Sequence, residues 1–273
     1  MNATGAQLDR AAALVRGRKI AVLTGAGVST DSGIPDYRGD GAPKRNPMTF
    51  DQFLIDPHYR KRYWAGSHLG WRRFAGSLPN QGHRVLAQME TAGFVNGVIT
   101  QNVDGLHARA GSQRVVDLHG SLDQVRCLNC HQIFSRADIA NRLSAANTGF
   151  DDAGNLELGP DGDVEFTSLD NFVTPQCTVC EGVLKPDIVF FGELVPSEKF
   201  VEASALVKAA EALIIAGSSL MVNSGIRLLD QATKHKIPVL IINRGATKGD
   251  SRASVKIDAG ASETLTEIFG RLC

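Results

Sequence analysis

The sequence predicts an α/β protein built on a parallel sheet, with a smaller module inserted into it. Short apolar runs alternate with helical stretches along most of the chain, which is typical of βαβ units whose sheet is covered on both faces. The stretch from about residue 122 to residue 186 breaks this alternation. The chain has 273 residues, 43% of them hydrophobic, a length that suits one large domain or two smaller ones.

Five apolar runs predict the strands of the sheet: residues 19–24, 94–100, 115–118, 212–216 and 237–242. They end, in that order, in the sequences GAG, QNVD, HG, GSS and NR. Helices are predicted at the N-terminus, after Pro79-Asn80 as far as about Ala92, and over 224–236. Any one polar strand end is equally well explained as a turn. Because ligands of open α/β sheets bind beyond the carboxyl ends of the strands, the five ends together predict a binding site.

Composition and charge exclude several classes of protein. The 29 Lys and Arg residues balance 29 Asp and Glu residues, so specific nucleic-acid binding is not expected. No apolar run reaches the ~18 residues of a membrane helix. The N-terminus has no signal-peptide core, and a first amphipathic helix explains it more simply than a weak transit peptide. We therefore expect a cytoplasmic protein that does not bind membranes.

Four of the five cysteines form two CxxC pairs, Cys127 with Cys130 and Cys177 with Cys180, and the fifth is Cys273. In a reducing compartment this spacing favours a tetrahedral zinc site over disulfides, redox pairs or unrelated buried cysteines. Four cysteine ligands leave no open coordination position, which predicts a structural zinc rather than a catalytic one. The acidic segment 150–172 between the pairs has no Lys or Arg and is predicted to be a surface insertion.

The loop after the first strand begins Gly25-Ala-Gly27, as nucleotide-binding loops do. The GxGxxG pattern fails because its sixth position is Thr30. No acidic residue closes a second strand about twenty residues later, as the dinucleotide pattern requires. A hydride-transferring dehydrogenase is therefore disfavoured, and a nucleotide held by the long polar loop 29–39 fits better.

His119 is the candidate general base, since it follows a strand on the predicted ligand-binding edge and its side chain titrates near neutrality. Asn102 and Asp104 follow the neighbouring strand and offer an amide and a carboxylate to ribose hydroxyls or water. The remaining histidines are expected to be structural: His58, His68, His83, His107, His131 and His235.

Taken together, these motifs resemble the sirtuins, the NAD-dependent protein-lysine deacylases. The resemblance extends over nearly the whole chain and rests on GAGVSTDSGIPDYRG, TQNVDGLH, the HG at His119, both CxxC pairs, KPDIVFFGE, AGSSL and IIN. Other details, such as RYW and LGPDGDV, look most like the bacterial and sirtuin-4-like branch. The resemblance implies a Rossmann-like NAD-binding domain (1–121 and 187–273) and a small zinc-binding module (122–186), with a further helical part from about 40–78.

The resemblance also implies which residues form the site, with NAD and an acyl-lysine peptide meeting between the two domains. The expected NAD-binding residues are Gly25, Ala26, Gly27, Asp36, Tyr37, Arg38, Gln101, Asn102, Asp104, Gly217, Ser218, Ser219, Asn243 and Ala261. The expected peptide-binding residues, which would pair with the substrate by strand addition, are Val189, Phe190, Phe191, Gly192 and Glu193. Many relatives have Phe at the position of Tyr37, and the sirtuin-4-like branch often has Cys at that of Ala261.

In the implied reaction, the acyl amide oxygen displaces nicotinamide from the ribose, and His119, assisted by Asn102, then serves as base toward a ribose hydroxyl. The products are nicotinamide, O-acyl-ADP-ribose and free lysine. Protein ADP-ribosyl transfer, removal of longer acyl groups such as lipoyl, and a zinc-ribbon binding module are the alternatives. Relatives that favour succinyl groups carry Tyr-x-x-Arg where this chain has Ser67 and Gly70, so we expect neutral acyl groups to be preferred. A monomer is expected.

Overall fold

The computed structural model describes residues 3–37, 47–150, 169 and 171–273. Its strands are β1 (Ile20–Thr24), β2 (Val95–Thr100), β3 (Val115–Asp117), β4 (Gly120–Cys127), β5 (Ile133–Ser135), β6 (Leu184–Ile188), β7 (Ala212–Ala216), β8 (Val239–Ile242) and β9 (Val255–Ile257). Its helices are α1 (Gly5–Val15), α2 (Phe50–Ile55), α3 (Pro57–Ala75), α4 (Gln81–Thr91), α5 (Leu106–Arg109), α6 (Arg136–Ala146), α7 (Ser197–Lys208), α8 (Asn223–Lys234) and α9 (Ala261–Leu272). None of these helices combines the length and the apolar content needed to cross a bilayer.

The predicted α/β fold class is confirmed. The larger sheet is parallel and has the order β3-β2-β1-β7-β8-β9 within the described residues. Its first five strands are the five that the apolar runs predict, each within two residues of the expected ends. The sequence analysis did not predict β9, because three residues flanked by polar ones give no distinguishable apolar run.

The parallel sheet is covered on both faces, which explains why its central strands are apolar at consecutive positions. Every residue of β1 and β7 is buried. On one face, side chains of α1, α4 and α9 pack in a core with Val22, Val98 and Ile214. On the other face, side chains of α7 and α8 pack with the alternate residues Leu23, Ile99 and Ile215. The two cores hold the sheet rigid beneath its carboxyl edge.

A second, antiparallel sheet of order β5-β4-β6 carries the cysteine pairs. Its core is shared with helices from an earlier part of the chain, since Phe53 of α2 and Trp64 of α3 pack with Val125 of β4 and Ile139 of α6. This shared core supports a small domain assembled from two segments, although its boundaries stay a prediction. Parts of the predicted helical segment 40–78 and of the acidic segment 150–172 lie outside the described residues.

The carboxyl ends of β1 and β7 approach so closely that only glycine fits between them. Gly27 N donates to Gly217 O at 2.9 Å, and Gly25 N donates to Ala216 O at 3.1 Å. A Cβ atom on Gly217 would lie 2.4 Å from the backbone nitrogen of Val28, and one on Gly25 would lie 2.8 Å from Gly217 O. Gly217 also has a φ of +62°, in the left-handed region. The result is a junction of bare backbone at the centre of the sheet edge.

We expect Gly217→Ala to lower the free energy of unfolding by about 2 kcal/mol more than Gly93→Ala. Gly93 has a φ of +80° with nothing within 4 Å of its Cβ position, so it shares the backbone strain without the collision. Urea unfolding of both variants measures the difference. Equal destabilisation would show that the junction relaxes to accept a methyl group.

Candidate functional site

The carboxyl edge of the parallel sheet opens onto a cavity of about 1350 Å³. Residues following each of the five predicted strands line it, together with the segment after β6. The expected site residues found in its lining are Gly25, Ala26, Gly27, Asp36, Tyr37, Gln101, Asn102, Asp104, His119, Val189, Phe190, Phe191, Gly192, Glu193, Gly217, Ser218, Ser219, Asn243 and Ala261. Arg38 lies outside the described residues. The structure thus brings these residues to one place, while their contacts with a ligand stay predictions.

His119 is held at both ring nitrogens. Nδ1 lies 2.9 Å from the backbone oxygen of Gln101, and Nε2 lies 2.9 Å from Oγ of Ser224. A carbonyl oxygen can only accept, so Nδ1 carries the proton and Nε2 has the lone pair. Burial lowers the pKa of His119 below its ordinary value, although the hydrogen bond to Gln101 opposes this shift. The imidazole is therefore neutral at neutral pH, and its one acceptor atom, Nε2, lies against the Ser224 hydroxyl.

The Asn102 side chain has a fixed orientation. Its Nδ2 donates to Gly25 O at 3.1 Å and to Ser29 Oγ at 3.0 Å, which commits both amide hydrogens. The Ser29 hydroxyl donates in turn to Asp104 Oδ2 at 2.6 Å. Asp104 Oδ1 accepts from the backbone of Leu106 at 2.9 Å. Asn102 consequently has its carbonyl oxygen available as an acceptor for a ligand hydroxyl.

Behind this network lies a helix N-terminus that anchors the glycine loop. Asn80 caps α4 by accepting from Gly82 N and His83 N, and its Nδ2 donates to Val28 O at 2.7 Å. His83 completes the capping box, and its Nε2 lies 3.5 Å from Ser29 Oγ. Burial lowers the pKa of His83 to about 4, so the ring is neutral. Sequence analysis identified the helix start but not its link to the loop.

An ion pair between buried Lys185 and half-buried Glu193 fixes the segment 189–193. Lys185 Nζ lies 3.0 Å from Glu193 Oε2, and the same carboxylate accepts from Phe190 N at 2.8 Å. The Lys185 ammonium also lies over the Phe190 ring, 5.1 Å from its centroid. Val189 N donates to the backbone oxygen of His119 at 2.8 Å. These contacts place the predicted peptide-binding segment directly beside the candidate base.

An apolar rim surrounds one mouth of the cavity, and sequence analysis missed it. We define this rim as Leu194, Val201, Met221 and Val222; all four line the cavity and are exposed. Leu194 is 89% and Val201 is 66% exposed. Composition could not reveal the rim, because exposure of an apolar residue depends on tertiary packing. Exposed apolar groups beside a cavity indicate a surface that binds a partner.

The four predicted zinc ligands converge. All four Sγ atoms lie within 4.8 Å of one another, with Cys127 and Cys180 3.5 Å apart and Cys130 and Cys177 3.7 Å apart. Tetrahedral zinc with Zn–S bonds of about 2.3 Å separates its sulfurs by about 3.8 Å. The spacing, the residue type and the closed ligand set all fit a structural zinc.

The two CxxC segments have the same backbone geometry, although their sequences differ. In each, the residue after the second cysteine has a positive φ, 61° for His131 and 58° for Glu181. Each of these residues donates its N–H to the carbonyl oxygen of the first cysteine of its pair. A backbone amide also donates to Sγ of Cys127 and of Cys177 at 3.4 Å, as thiolate ligands favour.

We expect Cys130→Ser to abolish binding of one zinc per chain and to lower the melting temperature, because metal binding is coupled to folding of this module. Cys273→Ser is the matched control, since Cys273 is exposed and outside the cluster. Metal analysis and thermal melts measure both effects. An unchanged metal content in Cys130→Ser would contradict the zinc assignment.

The chain is similar in sequence to proteins named as NAD-dependent protein deacetylases and deacylases. The chain is 51% identical over 264 residues to NAD-dependent protein deacetylase 1 of Mycobacterium avium (strain 104), covering 95% of this chain and 94% of that protein. It is 42% identical over 257 residues to NAD-dependent protein deacylase Sirt4 of Drosophila melanogaster, covering 92% and 82% of the two chains.

Solved structures are similar over almost the entire chain. One described as "Sir2-p53 peptide-NAD+" has a TM-score of 0.79 and 29% identity, covering 97% of this chain and 98% of that one. Another, described as "Sir2 bound to acetylated peptide", has a TM-score of 0.79 and 28% identity, covering 97% and 99%. The family model described as the Sir2 family matches residues 25–224. The chain belongs to the Sir2 family.

Proposed function

We propose that the protein is an NAD-dependent protein-lysine deacylase that releases nicotinamide, O-acyl-ADP-ribose and free lysine. One observation carries the proposal. Neutral His119 lines the same cavity as the glycine junction, and its backbone oxygen is hydrogen-bonded to the segment 189–193, the proposed peptide-binding segment. Relatives named as NAD-dependent protein deacetylases at about half identity support it.

The residues present fit a dinucleotide. The junction of Gly25, Gly27 and Gly217 exposes backbone where any larger residue would intrude, as close approach to a pyrophosphate requires. Ser218 and Ser219 add hydroxyl groups, and Asn243 adds an amide farther along the same edge. When bound, NAD supplies an anomeric carbon with a good leaving group. Asn102 Oδ1 would accept a hydrogen bond from the ribose, and His119 Nε2 would accept one hydroxyl proton.

The substrate proposed for the other side of the cavity is an extended acyl-lysine peptide. The segment 189–193 would bind its backbone by strand addition, which recognises main chain rather than sequence. The apolar rim flanks this segment, so apolar residues beside the acyl-lysine would bury exposed Leu194 and Met221. Peptides with apolar flanks are therefore the proposed better substrates.

The acyl group is proposed to be acetyl or a longer neutral group. The Tyr-x-x-Arg positions of succinyl-specific relatives align with Ser67 and Gly70, and Gly70 stands where the carboxylate-binding arginine would be. Ser67 is buried and accepts from Arg136 Nη2 through both its Oγ and its carbonyl oxygen. Arg136 is fully buried against Trp71, and its Nε and Nη1 find no partner among the described residues. Neither residue lines the cavity, whose described cations are Arg227 and Arg244. A charged acyl group would thus enter without a cation at the aligned position, Gly70.

The compartment, the lack of specific nucleic-acid binding and the monomeric state are also proposals. Five free thiols, four of them arranged for a metal, suit a reducing compartment such as the cytoplasm. Balanced charge disfavours specific nucleic-acid binding. Size-exclusion chromatography with light scattering tests the proposed monomer.

His119→Ala should lower deacylation by about 10²–10⁴-fold, because it removes the base. NAD affinity should change little, since the glycine junction and Asn243 remain. His235→Ala is the matched control, as His235 is exposed at the end of α8, away from the cavity.

Mass spectrometry of the products separates this proposal from ADP-ribosyl transfer. Deacylation gives O-acyl-ADP-ribose, whereas the alternative gives ADP-ribosylated protein. If His119→Ala kept more than about a tenth of wild-type turnover, the assignment of His119 as the general base would be wrong.

For acyl preference, we expect kcat/KM on one peptide to be higher for acetyl- or butyryl-lysine than for succinyl-lysine by roughly tenfold or more, with lipoyl-lysine testing longer neutral chains. The physical reason is that Gly70 offers no cation to the succinyl carboxylate. If succinyl-lysine were fastest, a cation would have to reach the pocket. From the sequence, Arg62 is the first suspect, because Tyr59-Arg-Lys-Arg62 matches the bare Tyr-x-x-Arg pattern. Arg62 is exposed on α3 and does not line the cavity, so Arg227 and Arg244, which do, would be replaced beside it.

A further inference from the structure

Ser224 is the second residue of α8, and its side chain is buried against the candidate base. Its Oγ lies 2.9 Å from His119 Nε2, and the residue lines the same cavity. Because Nδ1 carries the ring proton, the Ser224 hydroxyl donates to Nε2. The lone pair that must take up a proton during catalysis is therefore already hydrogen-bonded.

A hydroxyl group can either donate or accept a hydrogen bond, unlike the carbonyl oxygen on the other side of this ring. The carbonyl oxygen of Gln101 can only accept, so it holds Nδ1–H whether the ring is neutral or charged. The Ser224 O–H can donate to neutral Nε2, or it can rotate and accept from Nε2–H. Hydrogen bonds to an ionised group are roughly twice as strong as those between neutral groups. The hydrogen bond that Ser224 accepts from the charged ring therefore stabilises that ring more than the bond that Ser224 donates stabilises the neutral ring.

We propose that Ser224 is a positioning residue that acts through His119, holding Nε2 toward the cavity and stabilising the imidazolium once the ring is protonated. The inference rests on the proposed deacylase function. One proton would move from a ribose hydroxyl to Nε2, and the resulting oxygen would attack the carbon of the imidate that forms when nicotinamide leaves. Addition of one water and departure of the lysine amine would then complete O-acyl-ADP-ribose. Ser224 keeps its own proton throughout and forms no covalent bond.

The reaction has two stages, and only the second depends on His119 as a base. Release of nicotinamide needs no base, because the acyl oxygen is the nucleophile and no hydroxyl is deprotonated. Formation of O-acyl-ADP-ribose needs His119. Loss of Ser224 should therefore slow the second stage and spare the first, whereas general loosening of the site would slow both.

The test uses Ser224→Ala in the full chain with saturating NAD and acetyl-lysine peptide. Expected results are about a tenfold lower rate of O-acetyl-ADP-ribose formation and unchanged or faster exchange of labelled nicotinamide into NAD. KM for NAD should be unchanged. Ser224→Thr, which keeps the hydroxyl, should restore most of the rate.

Ser204→Ala is the matched control. Ser204 on α7 donates to Gln231 of α8 at 2.6 Å, so this variant also removes a serine hydroxyl bonded between α8 and a neighbouring element. It leaves His119 untouched, and both stages should proceed at nearly wild-type rates. A Ser224→Ala enzyme with full product formation, or with exchange and product formation equally reduced, would overturn the proposal.

A second measurement needs no variant. Nitrogen-15 NMR of the wild-type histidines should find a neutral His119 protonated at Nδ1, and an Nε2–H form would also overturn the inference. If wild-type protein forms no O-acetyl-ADP-ribose, the deacylase function fails and this inference fails with it. Wild-type activity without a Ser224 effect rejects the inference alone.

Discussion

The close approach of two glycine turns is the constraint on which the site depends. Backbone hydrogen bonds join Gly25 and Gly27 to the end of β7, at distances that exclude any Cβ on Gly217. The junction leaves bare backbone at the centre of the sheet edge, where the phosphates of a dinucleotide are proposed to bind, and it also sets the path of the loop that carries Ser29. Because β1 and β7 are buried along their whole length, the two turns cannot move apart without disrupting both cores.

Directional hydrogen bonds connect this junction to the side chains of the candidate site. Gly25 O and Ser29 orient Asn102, and Asn80 ties the same loop to the start of α4. Gln101 contributes twice, since its backbone oxygen holds His119 while its side chain accepts from Ser218 across the cleft at 2.7 Å. These hydrogen bonds hold Asn102 and His119 in fixed orientations, so both side chains are preorganised before any ligand binds.

The small module acts at a distance from this chemistry. A zinc ion held by its four cysteines would stabilise the antiparallel sheet, and β6 of that sheet leads into the segment 189–193 beside His119. The Lys185–Glu193 pair fixes that segment where it leaves the sheet. The segment 189–193 is thus built on the small module, whereas the glycine junction is built on the parallel sheet.

The sequence by itself determined the features that depend on local pattern: five buried strands, the glycine loop, the cysteine spacing and the placement of His119 at a strand end. It also indicated which strand ends would meet, since parallel strands share one carboxyl edge. Tertiary structure alone decided the partners of those residues. Ser224 lies 105 positions from His119, and Asn80 lies 52 from Val28. The apolar rim and the antiparallel pairing of β4 with β6 likewise join segments distant in sequence. Hydrophobic periodicity fixes which face of an element is buried, but the atom that a side chain meets there depends on packing between elements, which no local pattern encodes.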